Sequence, residues 1–157
     1  MANLSKTLAR PYTDEWYTTP EFVSALGRLD LDPCAGSNTR HARRNIRRPQ
    51  NGLIVEWRGR VWCNPPYSDK EGWIEKIIAH GNGYLLIFSI TETRLYQRAA
   101  AACDGIFFPL RRIQFINHNG KNPPFGSALF CFGKANTAAV RKSKLSGHLT
   151  TRIERIG

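Results

Sequence analysis

Runs of apolar residues alternate with amphipathic segments along most of the chain, and this alternation predicts an α/β fold. Tyr84 to Phe88 is a continuous apolar run, typical of a central parallel strand that is buried on both faces. Further strands are predicted at 29–32, 53–57, 61–63, 105–110 and 127–132. Helices are predicted from Thr19 onwards, from Ser68 to Gly81 and from Thr91 to Ala102.

The helix boundaries follow from residues that cap helices. Thr19 is a favourable N-cap, and Pro20 suits the first helical position. Ser68 and Glu71 have the spacing of a capping box, which predicts a helix that starts directly after Ser68. Gly81 stands where a left-handed C-terminal cap is expected.

The strand at 61–63 runs into Asn64-Pro65-Pro66-Tyr67, and a helical pattern follows at once. The two prolines prevent both a helix and further strand pairing, so the chain is rigid at this point. The Asn64 side-chain carbonyl and the Pro65 backbone carbonyl can accept both hydrogens of one exocyclic amine, and Tyr67 offers a flat face for a planar ring. Two such acceptors direct the nitrogen lone pair towards an electrophile, which is catalysis by positioning and electrostatics without a strong base.

The same four residues are also compatible with a Pro-rich turn that ends in a solvated tyrosine, so their context decides. A second such sequence, Asn122-Pro123-Pro124-Phe125, has no apolar strand before it and no helical pattern after it. We therefore interpret Asn64 to Tyr67 as the catalytic motif. The polar, glycine-rich stretch 117–126 is interpreted as a hairpin loop that can contact DNA.

The net charge favours a polyanionic partner, most simply nucleic acid. The 157 residues include 23 Lys and Arg against 12 Asp and Glu, which gives a net charge of +11 and a pI near 10.0. Five arginines fall within positions 40–48, and they form either a solvated basic face or a set of phosphate contacts. The candidates for DNA contact in this segment are Arg43, Arg44 and Arg47.

Four cysteines lie among apolar neighbours without the spacing of metal ligands, so we expect buried free thiols, no metal site and a reducing cytosol. No signal peptide or membrane-spanning run is apparent, which predicts a cytoplasmic protein. One domain over 1–157 is expected. Residues 1–13 are predicted as a loose arm, and 134–157 as a basic tail or a small appended element.

The motif Asn64-Pro65-Pro66-Tyr67 after an apolar strand resembles the catalytic motif of amino-group methyltransferases that use S-adenosylmethionine. Together with four other segments, this motif makes residues 14–133 resemble the small phage-type DNA N6-adenine methyltransferases, in which similar segments follow in the same order along the chain. The four segments are Tyr17-Thr18-Thr19-Pro20, Leu29-Asp30-Leu31-Asp32-Pro33-Cys34-Ala35-Gly36, Trp57 and Arg112-Ile113-Gln114-Phe115. The resemblance implies a trimmed Rossmann-like class I methyltransferase fold, mostly parallel with one antiparallel C-terminal hairpin. If the source is a phage, the compartment is the host cytoplasm.

A small-residue turn follows the strand at 29–32, and such a turn lets a ligand approach the backbone closely. Asp32 at the end of this strand can accept hydrogen bonds from an ammonium group. The resemblance makes this turn the first cofactor motif, with Asn38 where a second glycine is common. It implies that the cofactor-binding residues are Tyr17, Thr19, Pro20, Asp32, Cys34 and Ala35.

Other roles stay open or depend on the resemblance alone. Glu56 either accepts from the cofactor's adenine amine or pairs with one of the arginines. The resemblance implies that Arg112 binds a phosphate beside the target and that Phe115 packs on the target base. We find no acidic residue for the ribose hydroxyls after the second strand, and we expect that strand to be short or absent.

The predicted reaction is transfer of a methyl group from S-adenosylmethionine to the N6 amine of a flipped-out adenine in double-stranded DNA, and it needs no metal. One alternative is a methyltransferase that acts on RNA or on a protein glutamine amide, since the motif suits both. The other is a basic DNA-binding relative without catalysis. A dimer would add DNA contacts, and the sequence is compatible with either oligomeric state.

Overall fold

The computed structural model describes residues 15–116 and 123–157, and in this part of the chain seven strands form one sheet with four helices. The strands are β1 (Leu31–Asp32), β2 (Arg44–Asn45), β3 (Val61–Cys63), β4 (Gly83–Phe88), β5 (Gly105–Pro109), β6 (Ser127–Phe132) and β7 (Gly147–Thr150). The helices are α1 (Pro20–Ser24), α2 (Glu71–His80), α3 (Arg94–Ala102) and α4 (Lys134–Lys142). None of the described helices is long and apolar enough to cross a bilayer.

The strand order is β2-β1-β3-β4-β6-β5-β7, and the sheet is mixed. β2, β1, β3 and β4 are parallel neighbours, whereas β6 is antiparallel to both β4 and β5, and β7 is antiparallel to β5. The prediction of an α/β fold is confirmed, and so is the antiparallel pairing of β5 with β6. The prediction of a mostly parallel sheet with a single hairpin is wrong, because β6 inserts between β4 and β5 and the C-terminal residues add β7.

Helices cover both faces of the sheet, and the strands in its centre are buried throughout. All six residues of β4 and all six of β6 are buried, as the apolar run from Tyr84 to Phe88 predicted. On one face, Ile74 and Ile77 of α2 and Ala99 of α3 belong to a single apolar cluster with β3, β4 and β6. On the other face, the α1 region and Val140 of α4 pack on the same strands.

Two of the predicted helix boundaries are confirmed and one is wrong. Thr19 is the N-cap of α1, Pro20 is its first residue, and Gly81 caps α2 with a φ of 70°. The capping box at Ser68 does not form, because α2 begins at Glu71 with Lys70 as N-cap. Ser68 and Asp69 instead line a cavity described below.

One further prediction is wrong, and one of two alternatives is observed. Residues 53–57 form turns rather than a strand, and the carbonyl oxygens of Leu53 and Val55 accept from the Lys76 ammonium instead of from a neighbouring strand. Residues 134–157 are an appended element rather than a tail, since they contain α4 and β7. β2 has two residues, as short as predicted. The predicted arm at 1–13 and residues 117–122 of the predicted loop lie outside the described residues.

Candidate active site

The chain changes direction across the sheet at β1, because β2 pairs with one edge of β1 and β3 pairs with the other. Ligands of α/β proteins bind at the carboxyl ends of the strands beside such a switch point. A cavity of about 590 Å³ lies there, between the turn after β1 and the segment after β3. Small-molecule sites occupy about 300–1,000 Å³. The lining residues are Glu15, Trp16, Tyr17, Pro33, Cys34, Ala35, Ile46, Arg48, Pro49, Gln50, Asn51, Gly52, Leu53, Asn64, Pro66, Ser68, Asp69 and Trp73.

Tyr17 forms one wall of this cavity and lies against the turn after β1. A Cβ atom added at Gly36 would be 2.6 Å from Cε1 of the Tyr17 ring, so only glycine at this position lets the ring pack so closely. The Tyr17 hydroxyl donates to the Glu15 carboxylate. Burial first, and then this carboxylate, raise the pKa of Tyr17 to about 12, so the phenol stays neutral near pH 7.

Asp32 lies behind the cavity wall, where it is 2% exposed. Its Oδ1 accepts from the backbone N–H of Cys34 at 3.2 Å. Burial raises the pKa of Asp32 to about 7, against the opposing effects of the Cys34 amide and the Arg47 charge. Asp32 therefore supports the turn that carries two lining residues, Cys34 and Ala35, and it holds a carboxyl group that titrates near neutrality.

Arg47 holds the same turn from outside. Its Nε donates to the Gly36 carbonyl at 3.0 Å, and its Nη2 donates to the Thr39 carbonyl. The guanidinium is thus bonded to the protein's own backbone. If Arg47 contacts DNA as predicted, a phosphate must share the N–H donors that already bind the Gly36 and Thr39 carbonyls.

The Asn64 amide has one possible orientation. Its Nδ2 donates to the Trp16 carbonyl and, at 3.3 Å, to Thr18 Oγ1. A carbonyl oxygen can only accept, so the amide atom that faces Trp16 must be nitrogen. Asn64 Oδ1 is consequently turned away, and it is buried with no hydrogen-bond partner among the described residues. A buried acceptor left unpaired costs about 1–3 kcal/mol, which a ligand with an N–H group would recover.

The Tyr67 ring stacks flat on Phe88, with ring centroids 3.8 Å apart and an angle of 5° between the planes. This separation leaves no room for a base between the two rings, so only the opposite face of Tyr67 can receive one. The Lys70 ammonium lies 5.9 Å from the ring centroid. Burial raises the pKa of Tyr67 well above its usual range, so its hydroxyl stays protonated.

Several predicted site residues are not brought to the cavity. Thr19 and Pro20 start α1 and do not line it, although their neighbour Thr18 contacts Asn64. Glu56 is exposed and pairs with Arg58 at 2.8 Å, which is the second of the two roles considered for it. Phe115 is 5% exposed and packs edge-on against Trp16, 5.4 Å between ring centroids.

The predicted DNA-contacting arginines are dispersed. Arg43 and Arg44 line a second cleft of about 520 Å³, together with Asp30 and Gly59, which precede β1 and β3. That cleft is at the amino ends of the strands, opposite the Asn64 site. Arg112 lies after β5 and donates to the carbonyl of Pro123. Contact of these arginines with phosphate stays a prediction.

Sequence reasoning missed the residues that hold Asn64 and Tyr67 in place. Trp16 and Thr18 accept from Asn64 across more than forty positions of the chain, and Phe88 supports Tyr67 from the end of β4. No local spacing reveals such pairs. Trp73 is a buried residue of α2, and it also lines the cavity.

Lys76 holds the turns at 52–57 that form part of the cavity wall. Its Nζ donates to the carbonyls of Leu53 and Val55 and lies 5.2 Å from the Trp57 ring centroid. Lys76→Met removes these charge-assisted bonds, worth about 1–3 kcal/mol. We expect thermal denaturation to show a Tm lowered by about 3–8 °C, with weaker cofactor binding. Lys142→Met, at an exposed position of α4, is the control, and an unchanged Tm for Lys76→Met would contradict this role.

The described residues contain no cluster of three or more His, Cys, Asp or Glu that could hold a metal ion. All four cysteines are free thiols, but only Cys63 and Cys131 are buried as predicted, whereas Cys34 and Cys103 are partly exposed. The arrangement instead provides an organic-ligand cavity, an unpaired acceptor on the lining residue Asn64, and the Tyr67 ring three residues further along the chain.

Comparisons with known proteins agree with this chemistry. No curated protein and no solved structure matches the chain. The family model for DNA N-6-adenine-methyltransferase (Dam) matches residues 5–135, which includes both the cavity and the Asn64 motif. The chain therefore belongs to the DNA N-6-adenine-methyltransferase (Dam) family, whose enzymes use S-adenosylmethionine to methylate adenine in DNA.

Proposed function

We propose that this protein methylates the N6 amine of an adenine that has left the DNA duplex, with Asn64 as the residue that binds the amine. The observation that carries the proposal is the unpaired, buried Oδ1 of Asn64, a residue that lines the cavity. The amide orientation imposed by Trp16 and Thr18 leaves this oxygen ready to accept an N–H group before any substrate arrives.

The S-adenosylmethionine sulfonium, when bound, supplies an electrophilic methyl group. Asn64 Oδ1 and the Pro65 carbonyl accept the two N6 hydrogens, which favours a tetrahedral nitrogen with its lone pair directed at the methyl carbon. The N–CH₃ bond would form as the S–CH₃ bond breaks, so the sulfonium would leave as a neutral thioether. The methylated nitrogen would then be cationic and would lose its excess proton to water. Neither the neutral Asn64 nor the protonated Tyr67 has to act as a strong base.

The target adenine stacks on the face of Tyr67 that is opposite Phe88. A stacked base gains about 1–3 kcal/mol, which offsets part of the few kcal/mol needed to unstack and unpair it. The base displaces the Lys70 ammonium from this face, and the freed ammonium is then within reach of the phosphates beside the target. Phe88 keeps the Tyr67 ring at a fixed angle throughout.

The cofactor fits the cavity by its chemistry. Its adenine is planar, and Trp73, Ile46 and Leu53 give the wall an apolar part. Its ammonium and sulfonium are cationic, and the acidic residues nearby are Glu15 and Asp69 in the lining and Asp32 behind it. Tyr17, Cys34 and Ala35 form the wall beside the methionine part.

Polar lining residues take the place of the missing ribose carboxylate. The segment after β2 continues as Ile46 and Arg47, with no acid, and its lining residues further on include Gln50 and Asn51. Amide side chains can both donate to and accept from ribose hydroxyls. Unlike a carboxylate, these amide side chains carry no charge.

The net charge of +11 supports binding to the phosphates of double-stranded DNA. Arg112 follows β5 and therefore lies at the carboxyl side of the sheet, on the same side as Asn64. Arg43 and Arg44 lie at the opposite side, where they can contact DNA only beyond the immediate target.

The test is transfer of labelled methyl from S-adenosylmethionine to three acceptors: unmethylated duplex DNA, RNA of the same sequence and a glutamine-containing peptide. We expect label in duplex DNA, recovered after digestion as N6-methyladenine. The matched control is the same duplex already methylated at N6 of its adenines, which should take up no label. Label that prefers RNA or the peptide would overturn the proposed acceptor, and cofactor binding without any transfer would favour a non-catalytic DNA-binding relative.

A further inference from the structure

Two hydroxyl groups are buried beside the catalytic motif without a hydrogen-bond partner. They belong to Tyr67 and Ser127, and no described residue pairs with either oxygen. Both oxygens are closed off from solvent, and Ser127 as a whole is 8% exposed. A buried polar atom without a partner costs about 1–3 kcal/mol, so each such atom in a native protein needs a physical reason.

The sheet brings the Ser127 side chain to the face that carries Tyr67. Ser127 is the first residue of β6 and lies directly opposite Phe88 of β4. Opposite residues of an antiparallel pair project to the same face, with Cβ atoms about 4.5–5.5 Å apart. The Tyr67 ring stacks on Phe88 with 3.8 Å between the ring centroids. Phe88 is therefore a neighbour of both the Tyr67 ring and the Ser127 side chain.

The two hydroxyl groups also influence each other. Burial raises the pKa of Tyr67 above its usual range, and the neighbouring Ser127 hydroxyl opposes this rise. The two oxygens are thus close together, but their arrangement in the free protein falls short of a hydrogen bond, since both stay unpaired. A hydroxyl can donate and accept, so a small shift of either side chain allows them to pair.

The stack on Phe88 leaves one motion of the Tyr67 ring unrestrained. Two parallel rings fix each other's separation and tilt, but one ring can still slide over the other in its own plane. Such sliding matters, because a base stacked on Tyr67 must bring its N6 amine to Asn64 Oδ1. A misplacement of about 1 Å costs on the order of a hundredfold in rate. A hydrogen bond to the hydroxyl at the end of the ring would prevent the sliding.

We propose that Ser127 is a positioning residue for methyl transfer, and that its hydroxyl bonds the Tyr67 hydroxyl when the target adenine stacks on the ring. The inference rests on the proposed function, because it requires that Tyr67 carries the base. Two hydroxyls that are unpaired in the free protein become one pair in the complex, so part of their cost is recovered only with substrate bound. Ser127 does not line the cofactor cavity, and it acts on the reaction through Tyr67.

A double-mutant cycle tests this coupling on duplex DNA. Ser127→Ala and Tyr67→Phe should each lower kcat by about threefold to tenfold, because each removes one hydroxyl and leaves the other unpaired. KM should stay within about twofold, since the stacking surface and the phosphate contacts remain. The double variant should be no slower than either single variant. Ser127→Thr, which keeps the hydroxyl, should recover most of the rate.

Ser89→Ala is the matched control, because Ser89 and Tyr96 repeat the same arrangement on the other face of the sheet. The Tyr96 hydroxyl is also buried and unpaired. Burial raises the pKa of Tyr96, and the Ser89 hydroxyl opposes this rise. Tyr96 packs edge-on against Phe130, within the apolar cluster below α2 and α3. Ser89→Ala should therefore leave kcat unchanged at a temperature at which all the variants are folded.

Two outcomes of the cycle would overturn the inference. Losses that multiply in the double variant would show that Ser127 and Tyr67 act independently, because the free energies of uncoupled changes add. A Ser127→Thr protein as slow as Ser127→Ala would show that the hydroxyl is irrelevant.

Tyr67→Ala separates this inference from the function on which it rests. It removes the whole stacking surface and should be slower than Tyr67→Phe. A slow Tyr67→Ala protein, with Ser127→Ala and Tyr67→Phe at the wild-type rate, would overturn the role of Ser127 alone. A Tyr67→Ala protein as active as the wild type would overturn the proposed base site, and the role of Ser127 with it.

Discussion

Replacing Asn64 by alanine should lower kcat for DNA methylation by at least about a hundredfold, the usual loss when one preorganised electrostatic contact is removed. The DNA affinity should stay within about threefold, because binding to DNA depends mainly on phosphate contacts. The reason is the orientation of the amide. Asn64 Nδ2 is held by Trp16 and Thr18, so its oxygen is the buried acceptor that no other described residue satisfies. Single-turnover methylation and DNA binding by titration measure the two quantities.

The Asn64→Asp variant tests the orientation of the side chain separately from its ability to accept a hydrogen bond. A carboxylate keeps the acceptor for the amine, but its second oxygen faces the Trp16 carbonyl, which is also an acceptor, and the two repel each other. We expect a rate between those of the wild type and Asn64→Ala. A partial recovery at lower pH should follow, because a protonated carboxyl group can again donate to Trp16. Equal rates for the Asp and wild-type proteins would show that orientation by Trp16 is unimportant.

The parts of the fold that were predictable are those in which a local pattern coincides with burial. The apolar run from Tyr84 to Phe88 is buried on both faces in β4, and Val61 to Cys63 forms β3 directly before Asn64. Both runs have apolar residues at every position, so the strand prediction does not depend on register. The position of Asn64 at the end of β3 follows from the two prolines that stop the strand.

The incorrect predictions of local structure have a common cause: contacts with residues that are distant in the sequence override the local pattern. Residues 53–57 are apolar enough for a strand, yet the Lys76 ammonium binds two of their carbonyls and keeps them in turns. Ser68 has the spacing of a cap, but it lines the cavity while Lys70 caps α2. The antiparallel position of β6 depends on the whole sheet, and no window of sequence contains it.

The same difference between local patterns and distant contacts separates the site residues that were predicted from those that were missed. Cys34 and Ala35, which the resemblance to the first cofactor motif nominated, line the cavity because they follow a strand directly, and turns at the carboxyl end of a strand face the ligand. Trp16, Thr18 and Phe88 were missed because their roles arise from contacts across the sheet. Arg47 is an intermediate case, since its charge indicated phosphate but its donors bind backbone carbonyls of the turn after β1.

Asp32→Asn should stabilise the protein above pH 7 while it weakens cofactor binding. Asp32 is 2% exposed, and none of the ion pairs among the described residues includes it. Burial raises its pKa from 3.8 to about 7. Between these two values the folded state holds a proton that the unfolded state has lost, so the free energy of unfolding falls as the pH rises through this window.

This buried charge should destabilise the wild-type protein by on the order of 4 kcal/mol above pH 7, and by almost nothing below pH 4. The difference in Tm between Asp32→Asn and the wild type should therefore increase from pH 4 to pH 7 and then level off. Thermal denaturation of both proteins across this range measures it. A difference that does not change with pH would contradict a neutral, buried carboxyl group in the folded state.

A carboxylate that costs stability is best explained by a cationic ligand, and the cofactor's ammonium is the cation that the turn after β1 would meet. Calorimetry at pH 8 should then show Asp32→Asn binding S-adenosylmethionine about tenfold to a hundredfold more weakly than the wild type. 5′-Methylthioadenosine has no ammonium group and should bind the two proteins equally. Equal loss for both ligands would mean that Asp32 acts only through the Cys34 N–H and the shape of the turn, because a distorted wall affects the two ligands alike.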